Sequence, residues 1–232
     1  MAVDEAMLRM AGDSLTLRLY AWNPPALSLG YFQSARDFDL EDLHVRGIPV
    51  LRRPTGGGAI YHYRELTFAV TAGKTAFKLL GATIEERYER IHGVIIKALS
   101  RFAISSRMRG KGHETPFSAS DHSLCFNRTI GCDIIAGGRK LVGSAQKKTP
   151  KGFLQHGSIP LWENPMTPGA AWANEFSECE VTYSLLGAAL REEFESTFNV
   201  KLAAGSLTNT EEAEAQTLVK EKYSTDSWNK KR

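Results

Sequence analysis

The chain of 232 residues has no apolar run near the roughly 20 residues that a membrane-spanning helix needs. Its start, Met1-Ala2-Val3-Asp4-Glu5, is acidic where a secretory signal is basic and then apolar. Cysteine is scarce. Cys125, Cys132 and Cys179 are odd in number and lack metal-ligand spacing, which argues against a disulfide framework and a zinc site. Neither sign of charge is in excess: 29 basic residues face 26 acidic ones, too balanced for a nucleic-acid binder, and no RNA- or DNA-binding motif occurs. Repeats and low-complexity tracts are absent. So are a P-loop, a dinucleotide fingerprint and a nucleophile elbow. The expectation left standing is a cytoplasmic protein with reduced thiols and no membrane or nucleic-acid partner. Residues 1–232 are ample for one domain with a substantial core.

What the chain does contain is Arg52-Arg53-Pro54-Thr55-Gly56-Gly57-Gly58-Ala59-Ile60-Tyr61-His62. Three successive glycines destabilise a strand, because glycine loses the most backbone entropy and offers no side chain to pack. Bare backbone is needed here, as when an acyl chain or a phosphate lies against exposed N–H groups. Two later segments read as parts of the same site: Gly137-Gly138-Arg139-Lys140-Leu141-Val142-Gly143-Ser144-Ala145-Gln146, and Gln155-His156-Gly157-Ser158.

Periodicity supplies the scaffold. Apolar spacing predicts helices over 2–10, 40–46, 83–102, 183–198 and 210–223. Thr83 and Glu86 form a candidate capping box for the third. Alternation and turn residues predict strands over 15–20, 26–31, 49–53, 65–71 and 153–161. A hairpin over 132–136 and 140–146 is expected to turn at Gly137-Gly138. Strands dominate the first two-thirds in mixed order, which indicates an α/β or α+β domain with a mixed sheet flanked by helices.

Four residue types can carry chemistry. Lys140, beside small residues, can hold a carboxylate, a thioester carbonyl or a phosphate. As an ordinary lysine it is a charge clamp, and desolvation would make it a proton acceptor. Cys125 closes a polar loop over 107–123. It reads either as a small buried hydrophobe or as a thiol made reactive by the lysine, while Cys132 and Cys179 read as structural. His62 and His156 adjoin the glycine segments and serve either binding or structural hydrogen bonding. His113 and His122, within the loop, are expected to be exposed.

These residues resemble the lipoate–protein ligase and octanoyltransferase family, which shares a catalytic domain with biotin–protein ligases. The family's Arg-Arg-x-Ser/Thr-Gly-Gly-Gly-Ala-x-x-His is similar to Arg52–His62. Its Gly-x-Lys-x-x-Gly-Ser-Ala is similar to Gly138–Ala145, and its later His-Gly to His156-Gly157. Val3-Asp4-Glu5-Ala6, Trp22-Asn23-Pro24 and Trp228-Asn229 extend the similarity over nearly the whole chain. Ser123-Leu124-Cys125-Phe126 resembles the Ser-x-Cys-Phe of the cysteine-using octanoyltransferases. Where the family commonly has His-Asp, this chain has His62-Tyr63.

The resemblance implies a biotin/lipoate protein ligase-like catalytic domain without a C-terminal accessory domain, acting as a monomer. It implies that an octanoyl group passes from acyl carrier protein to Cys125 as a thioester, then to a lysine of a lipoyl domain. Such domains are those of the glycine cleavage H protein and the 2-oxoacid dehydrogenase E2. Lys140 would orient the carbonyl or assist deprotonation. Backbone N–H groups at Gly143, Ser144 and Ala145 would hold the oxyanion. Gly56, Gly57, Gly58 and Ala59 would bed the acyl chain, with Arg53, Tyr61, His62, Gln146, His156 and Gly157 completing the substrate site. No cofactor and no metal would be required. The alternatives within the family are an ATP- and magnesium-dependent ligase forming an acyl-adenylate, in which Cys125 is incidental, and a lipoyl or octanoyl amidotransferase. Outside catalysis stands a non-catalytic binder of lipoyl domains.

Overall fold

A computed structural model describes residues 1–110, 124–127 and 131–231. Its helices are α1 (Ala2–Met10), α2 (Leu40–Val45), α3 (Phe77–Leu80), α4 (Ile84–Ser100), α5 (Ala173–Phe176), α6 (Tyr183–Phe198), α7 (Asn209–Leu218) and α8 (Asp226–Asn229). Its strands are β1 (Leu15–Tyr20), β2 (Ala26–Leu29), β3 (Val50–Arg52), β4 (Ile60–His62), β5 (Glu65–Gly73), β6 (Ser106–Met108), β7 (Ile134–Ala136), β8 (Arg139–Lys148) and β9 (Gly152–Pro160). The helices expected over 2–10 and 183–198 and the strand over 15–20 have those ends. Thr83 and Glu86 form the expected capping box at the start of α4. The last predicted helix departs from expectation. Its α-helical part stops at Leu218, and a π turn spans Val219–Tyr223.

Six strands form one sheet in the order β1-β5-β9-β8-β7-β6. Every neighbouring pair in it is antiparallel. The mixed pairing expected from sequence is confined to a second, three-stranded sheet, β3-β2-β4. There β2 runs parallel to β3 and antiparallel to β4. A parallel pair needs a crossover rather than a hairpin, and α2, between β2 and β3, lies in that connection. β4 was not legible as a strand, being three residues long and following directly on the glycines.

β5 and β9 are buried along their whole length, and their two faces serve different partners. Leu66, Phe68, Val70, Phe153 and Ile159 pack with Ile91, Ile95 and Leu99 of α4 and Leu186, Leu190 and Phe194 of α6 in the main core. On the other face Ala69 and Leu154 meet Leu8 of α1. That face also carries His156, two residues along β9 from Leu154, because strand side chains alternate. α7 then covers α1 through Ala215 and Leu218. Among the described residues, no helix is long and apolar enough to cross a membrane.

Candidate active site

Between the two sheets the chain turns through Arg53–Ala59, and two constraints force glycine in that turn and a third beside it, at Gly30. Gly57 has a φ of +92°, a conformation that costs an L-residue strain. A Cβ on Gly58 would lie 2.9 Å from the backbone N and Cα of Cys125. A side chain on Gly30 would overlap the Gly57 carbonyl. Arg53 clamps the turn from inside. Its guanidinium donates to the carbonyls of Gly56 (2.7 Å), Gly58 (2.6 Å) and Ser28 (3.1 Å). Burial pushes this group below its ordinary value, against the pull of the Cys125 sulfur. Arg53 therefore borders the site with its donors already committed to backbone.

Thr55 ties the turn to the large sheet. Its hydroxyl lies 2.6 Å from His156 Nε2, and His156 Nδ1 lies 3.1 Å from Asp4 Oδ2. Asp4, on α1, also accepts from Arg18 (2.7 Å) and from the Tyr20 hydroxyl (2.9 Å). Burial opposes its charge, but the chain's amino group, His156 and Arg18 together hold Asp4 below the usual carboxylate range. Burial lowers His156, outweighing Asp4, so its ring is neutral. The network then assigns Nδ1–H as donor to Asp4 and Nε2 as acceptor from Thr55. His62 is similarly engaged. Nδ1 meets Glu65 at 2.6 Å and Nε2 meets the Ser28 hydroxyl at 2.7 Å, while Trp22 stacks on the ring at 4.1 Å. Both histidines are thus held by hydrogen bonds within the fold, and both rings border the cavity.

The second half of the site is charged. Leu124 bridges to Ala59 in parallel, and Cys125 N–H donates to the Ala59 carbonyl at 2.6 Å. The thiol is thereby docked on the glycine turn. Gly137 and Gly138 both have positive φ, as a tight hairpin turn between β7 and β8 requires. This hairpin presents Lys140 from β8. Lys140 Nζ lies 3.5 Å from Cys125 Sγ, 3.0 Å from the Cys125 carbonyl and 2.9 Å from Asp133 Oδ2. Gly143 permits this, since a Cβ there would come within 2.8 Å of Lys140 Cε. Burial works against the ammonium, but Cys125 and Asp133 prevail and hold Lys140 above its ordinary value. The lowered, proton-accepting lysine considered from sequence is not what the fold makes. It makes a persistent cation.

A narrow cavity of about 30 Å³ lies between the two halves. Gly56 and Gly57 line it from the turn, Ser144 and Ala145 from β8, and His156 and Gly157 from β9, with Cys125 and Ile60 at its wall. Gly58, Ala59, Gly143 and Lys140 do not line the cavity themselves but adjoin Cys125, which does. Two predicted substrate residues turn away. Tyr61 alternates with Ile60 and His62 on β4, so its ring stacks on Tyr63 (5.9 Å) in the small sheet's own core. Gln146 donates to Gln155 Oε1 at 2.9 Å on the α4 side of β8. From Gly143 onward β8 pairs, among the described residues, with β9 alone, because β7 ends opposite Val142. Alternate N–H groups of that stretch therefore face out of the sheet.

Sequence reading missed three residues. Asp4 and Asp133 are buried acids, and only Asp133 carried a signal, as an acid beside the apolar strand residues Ile134 and Ile135. His92, on the buried face of α4, lies 2.7 Å from the Ser144 hydroxyl and 2.7 Å from the Cys132 carbonyl. Of the other thiols, burial and Asp133 push Cys132 up to about 12, and Cys179 is exposed rather than structural. His113 and His122 lie outside the described residues. Among those described, no group of three or more His, Cys, Asp or Glu is placed to hold a metal ion.

A lysine-bearing hairpin set over a glycine cleft, between a large antiparallel sheet and a small mixed one, defines the class of fold as that of lipoate–protein ligase catalytic domains. The model of the lipoyl protein ligase A/B catalytic domain matches residues 1–166, and the chain belongs to that family. It is 34% identical to the octanoyltransferase LipM of Symbiobacterium thermophilum, over 99% of this chain and 92% of that protein. It is 30% identical to LipM of Bacillus subtilis, over 100% and 93%. Among solved structures it resembles lipoate-protein ligase A bound with ATP, at TM-score 0.82 and 26% identity over 99% of this chain and 92% of that one. Its fold also matches a bi-partite lipoate protein ligase of Thermoplasma acidophilum described with its E2 lipoyl domain, at TM-score 0.79 and 23% identity over 99% and 89%.

Proposed function

We propose that this chain is an octanoyltransferase of protein lipoylation that works through a cysteine thioester. The observation that carries the reading is the approach of Lys140 Nζ to within 3.5 Å of Cys125 Sγ, on a turn stripped of side chains. An ammonium at that distance is a counter-ion for a thiolate. The likeness to LipM octanoyltransferases over the full chain supports transfer over ligation, since the ligase likeness rests on fold at lower identity.

In the proposed first step the Cys125 thiolate attacks the thioester carbonyl of octanoyl-acyl carrier protein. A carbon–sulfur bond forms to Cys125, the bond to the carrier sulfur breaks, and the carrier leaves as a thiolate that takes a proton from solvent. Outward N–H groups at Gly143–Ala145 and the Lys140 ammonium stabilise the oxyanion. In the second step the neutral amine of a lipoyl-domain lysine attacks the acyl-enzyme. The amide forms, Cys125 leaves as thiolate, and one proton is released. Thioester to amide is downhill, so the scheme consumes no ATP and assigns no role to a metal. Lys140, held charged, acts as a clamp on the carbonyl and not as the base.

The test is incubation with octanoyl-acyl carrier protein, read by intact mass. An octanoyl adduct on Cys125, passed on to a lipoyl domain without ATP, is expected. Octanoylation that needs free octanoate, ATP and magnesium would select the ligase. Transfer from an octanoylated H protein but not from carrier protein would select the amidotransferase.

A further inference from the structure

Side chains at 143, 145 and 147 leave the same face of β8. At Gly143 this face looks onto Lys140 and the Cys125 sulfur, which is 3.6 Å from where a Cβ would stand. Four residues on, a strand has advanced about 13 Å, and the face ends at Lys147. Its ammonium lies 5.9 Å from the centre of the Tyr31 ring. From the C-terminal segment, Lys222 and Lys231 lie 3.8 and 3.9 Å from the centre of the Trp228 ring, with Lys231 also 3.9 Å from that of Tyr31.

Three cations thus gather around two aromatic rings. Lys222 pairs with Glu5 at 2.6 Å. Lys147 has no carboxylate within ion-pair distance among the described residues. Burial lowers Lys222 from its ordinary value, and the charge of Lys147 adds to that, so the cluster is self-repelling. Tyr31 is continuous with Phe32 (ring centres 4.8 Å apart), which is 69% exposed and lies 3.9 Å from the Cβ direction of Gly56. An aromatic shelf therefore runs from the cation cluster to the mouth of the cavity.

We infer that the Lys147–Lys222–Lys231 cluster is the subsite for the phosphate of a phosphopantetheine arm, whose thioester end reaches Cys125 along the Ala145 face of β8. This rests on the octanoyl-transfer reading. An anionic anchor relieves the repulsion among the cations. The cluster favours the donor and not the acceptor, because an incoming lysine would meet like charge there, above all at Lys147.

The arm is shared by coenzyme A and by carrier proteins, so three donors separate the sources: octanoyl-carrier protein, octanoyl-coenzyme A and octanoyl-pantetheine, which lacks the phosphate. The readout is KM for acylation of Cys125, followed by thiol release and intact mass. Both phosphate-bearing donors are expected to bind about tenfold better than octanoyl-pantetheine, an advantage that shrinks as ionic strength rises. Lys147→Glu is expected to erase the advantage, and Lys147→Arg to keep it. The inference is overturned if the wild-type chain shows no advantage, if Lys147→Glu leaves it intact, or if octanoyl-pantetheine loses as much as the others. It is also overturned if only the carrier protein is affected, since the carrier's own surface would then be what is recognised. Absence of a Cys125 adduct with every donor would instead refute the transfer reading itself.

Discussion

The two walls of the cavity are built on opposite terms. On the glycine-turn side, each polar group named above is matched by a neutral or internally paired partner. Arg53 spends its donors on three carbonyls, and Thr55, His156 and Asp4 form a closed chain. On the other side stand a sulfur, an ammonium and one carboxylate within 3.5 Å of their neighbours. A surface that only has to hold its shape is stabilised by satisfied hydrogen bonds. A surface that has to react keeps a charge next to a nucleophile and keeps that nucleophile on the cavity.

If this division is right, substitutions on the two walls separate activity from stability. The largest effect is expected for Cys125→Ala, which should abolish the octanoyl adduct and slow transfer by about a thousandfold or more while leaving the unfolding midpoint nearly unchanged. His156→Ala should do the reverse. It takes the His156 contact from Thr55 and from Asp4, which keeps Arg18 and Tyr20, so it should cost about 1–3 kcal/mol of unfolding free energy in urea titration while the adduct still forms. Loss of the adduct at full stability in His156→Ala would break the comparison.

Next is Lys140→Met. It takes the ammonium away from the buried Asp133 carboxylate, and losing one partner of a buried pair costs about 3–5 kcal/mol. It also removes the clamp, for an expected loss of about a hundredfold in acylation rate. The double variant Asp133→Asn, Lys140→Met separates these two effects, because it should regain stability and not rate. A double variant that recovered rate would show that the ammonium serves only to satisfy Asp133.

Smaller is Gly58→Ala. A methyl group there must displace the Cys125 backbone from its 2.9 Å approach, which costs about 1–3 kcal/mol where backbone has to move. Gly56→Ala meets nothing nearer than Phe32 at 3.9 Å and is expected to be nearly neutral in denaturation. The pair measures how tightly the neutral wall dictates the position of the reactive one. Equal effects at the two positions would show that the turn does not set the cysteine's place.

Much of this division could be read from the sequence. Cys125 and Lys140 were legible because a lysine two residues after a Gly-Gly turn, and a cysteine at the end of a polar loop, stand out against apolar strands. The helices α1 and α6 were legible to the residue because their apolar spacing runs uninterrupted to each end. The partition into two sheets was not, since strand pairing depends on contacts between distant segments and β4 is too short to alternate visibly. Tyr61 was misplaced for a related reason: without a register, motif membership says nothing about which face a strand side chain takes. Asp4 and Asp133 were missed because an acid's burial shows only once its cation is located in space.

The last expected effect appears only as pH falls and concerns His92, which stands behind the reactive wall yet follows the logic of the neutral one. Its Nδ1 meets the Cys132 carbonyl, so it carries the proton, and its Nε2 accepts from Ser144, whose oxygen also receives Gln155 Nε2 at 3.1 Å. Burial, with the Lys140 charge added, lowers His92 from 6.5 to about 4. In the unfolded chain the ring takes up its proton near 6.5, so between these values the unfolded state binds more protons than the folded one. Stability from this group is therefore fully present above pH 6.5 and lost as pH falls toward about 4. The loss is at most about 3 kcal/mol over the window. His92→Gln, which has no proton to take up, should flatten that part of the pH dependence in urea titration. His156 is buried neutral on the opposite wall and keeps its own contribution, so the wild-type and variant curves should differ in slope without the variant becoming flat. Curves that run parallel through the window would mean that His92 is already charged in the folded chain. The hydroxyl of Ser144 would then face a donor, and the reactive wall would extend one residue deeper than the comparison allows.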